Sequence, residues 1–356
     1  MKNKLRKIFK NLYKQLRVSF FKFLYGNITL QKKDISKNKI KSSIFKRENS
    51  YFFYNLKNTR VYTDGHENVS IIKNNKLIKK ISYQQIKGKL VHDRYNQVLK
   101  TGTPKIIKKF VGNSLMLAQG ASGYNNYSHW LLDIIPRIKI FSFTKKRVDN
   151  ICLNKPTQLQ LETLRIIGYD KINFINSQKY KHILAENLFI CTHPNYKTGT
   201  IMQAHSKIPT WIIKYVRNQY KFLKIRKKKK IKIFIDRSDS GFSHCRLINN
   251  NYIKKYLLRN NFKIVKLSEF SFKQQINLFY NAGLIIGPHG AGLANLIFCK
   301  KNTKVIELKP SNHPNIVYQR ISLINNLSYK LIKLNPIKGN PNGDMFLDIN
   351  KLKKLI

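Results

Sequence analysis

The final third of the chain constrains the fold most, because short apolar strands and amphipathic helices alternate there in lengths that suit only one architecture. Ile231 to Ile235 reads as a strand, Asn249 to Arg259 as a helix, Phe262 to Leu267 as a strand and Ser271 to Ala282 as a helix. Leu284 to Gly287, Gly290 to Phe298 and Val305 to Leu308 continue the series as strand, helix and strand. Strands that are apolar throughout, separated by helices with one apolar face, require a parallel sheet covered on both sides. Ligands of such sheets bind beyond the carboxyl ends of the strands, where helix N-termini face a crevice.

A chain of 356 residues has room for two domains of ordinary size. Residues 1–26 carry Leu5, Ile8, Phe9, Leu12, Leu16, Phe20 and Phe23 at helical spacing, with Lys and Arg on the other face. Two readings stand for this element: a basic amphipathic helix on an anionic bilayer, or a first helix packed on its own domain. Residues 27–50 are polar, Lys-rich and without period, the pattern of a linker. Residues 51–225 form an N-terminal α/β domain, opening with short strands and turns up to Leu117. Its helices follow from the spacing of Trp130, Leu131, Ile134 and Ile138, with Pro136 bending the element, and from Gln158 to Ile167. The run Arg226-Lys227-Lys228-Lys229-Lys230 marks the boundary to a C-terminal domain over 226–335, and 336–356 is a tail.

Lys and Arg number 69 against 16 Asp and Glu, a formal net charge of +53. Lys, Asn and Ile are over-used together in every segment, so compositional drift and an anionic partner both account for the charge. Cys152, Cys191, Cys245 and Cys299 form no C-x-x-C pair, which points to buried free thiols in a reducing compartment rather than zinc or redox chemistry. No run of about 18 apolar residues reads as a membrane span. Lys14, Arg17 and Lys22 interrupt what would otherwise be a signal-peptide core.

Gly287-Pro288-His289-Gly290-Ala291-Gly292 lies at a strand-to-helix junction. Small residues there let backbone N–H groups approach a phosphate closely, and His289 can add a hydrogen bond. The segment lacks the dinucleotide-binding spacing and the lysine of a P-loop. Arg237 follows the strand ending at Ile235, and Arg246 comes shortly after; guanidinium groups suit a diphosphate because each grips two oxygens. His129 and Asp133 stand four apart on one helix. That spacing suits a base and its partner, two ligands of a metal lacking an evident third, or a buried His–Asp contact. Glu307, at the end of the expected strand Val305 to Leu308 and acidic in a chain with few acids, suits a ribose contact if it lies near a nucleotide and has no role if it is simply exposed.

Together these blocks resemble glycosyltransferase family 61, which includes many bacterial capsular polysaccharide biosynthesis proteins. The resemblance rests on Asn125-Asn126-Tyr127-Ser128-His129-Trp130-Leu131-Leu132-Asp133-Ile134-Ile135-Pro136-Arg137, on Ile235-Asp236-Arg237 through Arg246-Leu247-Ile248-Asn249, and on Leu267 through GPHGAGLANLIF to Leu308. Asn250 and Lys273 stand where the family often has acidic residues. Membership implies an α/β GT-B fold of two Rossmann-like domains facing across a cleft, inversion at the anomeric carbon and no obligatory metal or other cofactor. It implies Asp133 or His129 as base, with Arg237, Arg246, His289, Gly290 and Ala291 on the donor diphosphate and Gly292, Asn295 and Glu307 on the nucleotide. The expected partners are a nucleotide-sugar and a glycan or lipid-linked glycan acceptor, in the cytoplasm or on the inner face of its membrane. Two rival readings are a basic nucleic-acid-binding protein, which the even spread of Lys disfavours, and a catalytically silent relative in an assembly complex.

Overall fold

A computed structural model describes residues 2–32, 35, 37–40, 51–65, 67–118, 126–226, 230–240, 244–340 and 343–356. Residues 41–50 of the expected linker, Asn125 of the first motif, Lys227 to Lys229 of the basic run and Ser243 lie outside the described residues. The chain is α/β and forms two compact units. One comprises Met1–Asn125, Asp133–Thr157 and Gly168–Ala204, the other Asn126–Leu132, Gln158–Ile167 and His205–Ile356.

The first unit is built on a nine-stranded sheet. Its strands are β1 (Thr29–Leu30), β2 (Asn38–Ile40), β3 (Tyr51–Thr63), β4 (Val69–Lys73), β5 (Lys76–Leu77), β8 (Lys108–Met116), β9 (Asn150–Leu153), β10 (Asn173–Asn176) and β11 (His182–Cys191). A separate small hairpin joins β6 (Gln85–Ile86) to β7 (Lys89–Leu90). The order β1-β5-β4-β3-β11-β8-β9-β10, with β2 on β3, is mixed. Strands β11, β8, β9 and β10 pair in parallel, whereas β3 is antiparallel to β2, β4 and β11. Short strands were expected over 51–117, yet β3 runs 13 residues. The reason is a change of phase: Tyr54 and Leu56 are buried before Asn58, Val61 and Thr63 after it, and Asn58 itself has φ 47°. A left-handed residue inside the strand shifts which parity faces the core, which hides the period-2 signal. The stretch expected to be a linker also contributes β1 and β2 to this sheet.

In the second unit, β12 (Ile231–Ile235), β13 (Phe262–Val265), β14 (Ala282–Pro288), β15 (Lys304–Pro310) and β16 (Ser328–Leu334) form a fully parallel sheet in the order β13-β12-β14-β15-β16. One face buries Phe234, Ile286, Ile306 and Leu308 against Ile253 and Leu257 of the helix Asn250–Arg259. Met345, Leu347, Ile349 and Leu352 complete the same core, so the tail at 336–356 is an integral layer of the unit. The segment expected as a helix from Gly290 is a tighter 3₁₀ element, Ala291–Phe298, whose first turn closes from Leu293 N to the Gly290 carbonyl at 3.0 Å. Gln274 and Ser271 form a capping box at the start of the helix Phe272–Tyr280, and Glu162 accepts from the Phe272 N–H at 2.9 Å.

Candidate functional site

The strand order of the second unit contains one reversal. From β12 the chain moves to β13 on one side, then returns to β14 on the other, so the crevice of this sheet opens between the carboxyl ends of β12 and β14. Arg237 follows β12 directly, and His289 and Gly290 follow β14. The Arg237 guanidinium donates to the His289 carbonyl, to the His244 carbonyl at 3.1 Å and to Ser240 Oγ at 3.3 Å. A Cβ on Gly290 would overlap that guanidinium, and a Cβ on Gly292 would lie 2.5 Å from Leu267 Cδ1. The backbone of Gly290 is extended, so the glycine serves close approach rather than an unusual dihedral. Arg246 is more open, with 49% of its side chain exposed, and its Nε lies 3.7 Å from Asp344 Oδ2.

Beneath this loop, His289 Nδ1 is hydrogen-bonded to Glu307 Oε1, and Tyr329 donates its hydroxyl proton to Glu307 Oε2. Glu307 is buried with both carboxylate oxygens engaged, which fits orientation of the His289 ring better than the ribose contact read from sequence. Asn295 is also committed internally. Its amide donates to Gln275 Oε1 at 2.9 Å and to the Gly292 carbonyl at 3.2 Å, while its Oδ1 accepts from Tyr127 at 2.6 Å.

The sequence reading did not single out His313 and Tyr318, whose rings neighbour that of His289, or Lys309, whose charge acts on His313. The His313 and His289 ring centroids are 4.2 Å apart, and Tyr318 stands 5.0 Å away on another side. Lys309, buried, donates to the Asn315 carbonyl at 2.7 Å. Burial, and then the charges of His289, Lys309, His244 and Arg237, press the His313 pKa down to about 4. The Arg237 pKa is lowered by burial as well, with Arg246 adding to the effect. Arg237, Arg246, Lys309 and three imidazoles thus gather around the crevice with the carboxylates of Glu307 and Asp344 beside them, an arrangement that can receive an anion. Lys309 was recoverable from sequence, since it stands at the carboxyl end of β15 as Arg237 does at that of β12.

The motif around His129 is stitched into the same unit. Tyr127 binds Asn295, Ser128 binds the Tyr318 hydroxyl, and Trp130 Nε1 donates to Thr163 Oγ1 at 2.8 Å. Tyr318 therefore links the segment carrying His129 to the surroundings of His289. The His129 and His205 ring centroids are 4.8 Å apart, two imidazoles of the type that bind transition metals. Asp133 falls in a π-helical turn, Trp130–Ile134, between the α-helical segments Tyr127–His129 and Ile135–Ser142. Pro136 accounts for the change of winding: it has no N–H to offer the Leu132 carbonyl, and its ring would crowd that group in a regular α turn. Asp133 is fully buried, and its charge supports that of buried Arg137, whose pKa burial nonetheless lowers to about 10. Arg137 donates to the Leu117 carbonyl at 2.5 Å.

The protein-family model described as Glycosyltransferase 61 matches residues 127–306, just over half of the chain and inclusive of both motif-bearing segments. No curated protein matches the chain significantly.

Proposed function

We propose, from the premise that this chain belongs to glycosyltransferase family 61 and is a glycosyltransferase, that it transfers a sugar from a nucleotide-sugar to an acceptor hydroxyl with inversion at the anomeric carbon. The observation that carries the donor assignment is the meeting of Arg237 with Gly290 at the reversal of the parallel sheet, beside Arg246 and Lys309. A diphosphate adds negative charge where cations outnumber the carboxylates of Glu307 and Asp344. Arg237 and Arg246 would grip its oxygens, and the N–H groups of Gly290 and Ala291 and the imidazole of His289 would complete the cradle. Gly292 lets the turn pack closely under the nucleotide, while Asn295 and Glu307 act on the donor through the groups they hold.

Chemistry would proceed in one displacement. His129 accepts the acceptor's proton as the hydroxyl oxygen attacks C1, and the bond from C1 to the diphosphate oxygen breaks with its electron pair leaving on the nucleotide diphosphate. We favour His129 over Asp133 as the base because His129 is partly exposed, whereas Asp133 is buried beside Arg137. Transfer is taken to need no metal, and the architecture to be of the GT-B kind, with an N-terminal domain for the acceptor and a C-terminal domain for the donor. The acceptor class is a glycan or lipid-linked glycan of a cell-surface polysaccharide such as capsule or lipopolysaccharide. A cytoplasmic setting at the inner membrane face suits the four buried free thiols.

The test is a panel of nucleotide-sugars offered to the purified protein, scored by binding and by slow donor hydrolysis. One donor class should be bound and hydrolysed, with both responses weakened in Arg237→Ala. Absence of any response across the panel would favour a catalytically silent relative.

A further inference from the structure

The helix Lys2–Tyr25 has an apolar face that the other described residues leave uncovered. Leu5, Ile8, Phe9, Leu12 and Leu16 are all exposed, Phe9 by 66%, and Phe23 is exposed by 91%. Exposure of so many large apolar side chains in one row is costly in water unless something covers them. The covering element is not the rest of the first unit. That contact is made by Phe21, which is buried, and by Tyr25, whose ring stands 5.2 Å from that of His182 and whose hydroxyl accepts from the Ile107 N–H at 3.3 Å. At about 100° per residue, Phe21 and Tyr25 lie on the side of the helix opposite to Leu12, Leu16 and Phe23. The helix is thus fastened by the back of its last turns and presents its apolar row outward along its whole length.

We infer that this row is the surface by which the protein lies on an anionic lipid bilayer. Charge decides the occupant. Between Lys2 and Tyr25 there are eight Lys and Arg and no acidic residue. Arg6, Lys7, Lys10, Lys14 and Arg17 fall on the half of the helix away from the apolar row, so their long side chains reach sideways to headgroups while the row enters the acyl boundary. A second copy paired through the same rows brings no carboxylate to offset these cations, whereas an anionic headgroup layer supplies the missing charge. No helix among the described residues is long and apolar enough to cross a membrane, so the attachment is in plane. This inference is independent of the sugar-transfer reading.

Co-sedimentation of the full chain with vesicles tests it. Binding to vesicles of phosphatidylcholine with phosphatidylglycerol should exceed binding to phosphatidylcholine alone. Because a chain of net charge +53 adheres to any anionic surface, the deciding variant is Phe9→Ser/Leu16→Ser/Phe23→Ser, which alters no charge and touches only exposed positions. We expect it to lose about tenfold or more in affinity with an unchanged circular dichroism spectrum. A Lys7→Gln/Lys10→Gln/Lys14→Gln variant, which removes only three of 69 Lys and Arg, should lose only part of the preference for anionic vesicles. Equal binding by the serine variant and its parent would overturn the inference, as would self-association of the parent in sedimentation velocity that the serine changes abolish.

Discussion

Arg237→Ala probes the donor site most directly. The guanidinium reaches the His289 and His244 carbonyls and Ser240 Oγ, and so ties the two loops that flank the crevice of the parallel sheet. Removing one preorganised donor of this kind costs about 3 kcal/mol of transition-state stabilisation, or roughly 10²–10³-fold in turnover. Stability should change far less. Two carbonyls lose a partner at about 1 kcal/mol each. Arg237 is only partly buried, so water can reach them, and removal of one cation from the cluster around His313 returns part of the loss. We therefore expect a folded protein, its melting temperature lowered by a few degrees, with kcat/KM reduced at least about a hundredfold. Arg237→Lys, which keeps the charge but loses the planar fork, should fall between the two. The assay is transfer or hydrolysis of the donor found in the nucleotide-sugar panel, with circular dichroism on the same samples. A folded Arg237→Ala enzyme with turnover within about threefold of the parent would refute the reasoning.

Gly290→Ala places a methyl group on the Arg237 guanidinium, the far end of a flexible side chain, so it should fold normally and yet weaken donor binding; equal affinity in calorimetry would show that Arg237 need not sit there. Glu307→Gln keeps the shape beside His289 and Tyr329 but removes the carboxylate charge, and should lower kcat with little change in KM; an unchanged pH–rate profile would exclude a positioning role. His182 and His313 both have folded pKa values of about 4 against an ordinary 6.5, from burial above all. The unfolded chain binds protons first, so stability is full above pH 6.5 and declines as pH falls toward 4. Urea midpoints at pH 7 and pH 5 should differ in that sense, and less so in His182→Gln. Transfer activity should survive a chelator; its loss, with recovery on added zinc, would implicate the neighbouring imidazoles of His129 and His205.

The parallel sheet of the second unit was legible because its strands are continuous apolar runs between helices with one apolar face. Arg237, His289 and Gly290 were legible for the same reason, since their distance from a strand's carboxyl end can be counted. The long pairing of β3 with β11 was not, because it joins residues more than a hundred positions apart and no local pattern encodes a partner. Glu307 illustrates a different limit. It was expected at a strand end but stands in the middle of β15, and its burial and its bonds to His289 and Tyr329 depend on which face of that strand it occupies and on what stands opposite. The core positions Met345, Leu347 and Ile349 do alternate, but over only five residues and just after the Gly, Asn and Pro of 339–343, too short a run to mark an element.

The π turn at Trp130–Ile134 has a genetic meaning beyond its geometry. Such a turn is an α-helix with one residue inserted, and the natural repair would be a single-codon deletion. Here the repair would be harmful. Losing Leu132 would delete a fully buried side chain and draw Tyr127 and Ser128 about 1.5 Å, one residue's rise, out of step with Asn295 and Tyr318, so the bonds from Tyr127 to Asn295 and from Ser128 to Tyr318 would be strained together. Substitutions that preserve apolar character in this stretch should be borne easily, while insertions and deletions should not. The segment therefore behaves as a reading frame set in protein rather than in nucleic acid, where length is fixed more strictly than identity.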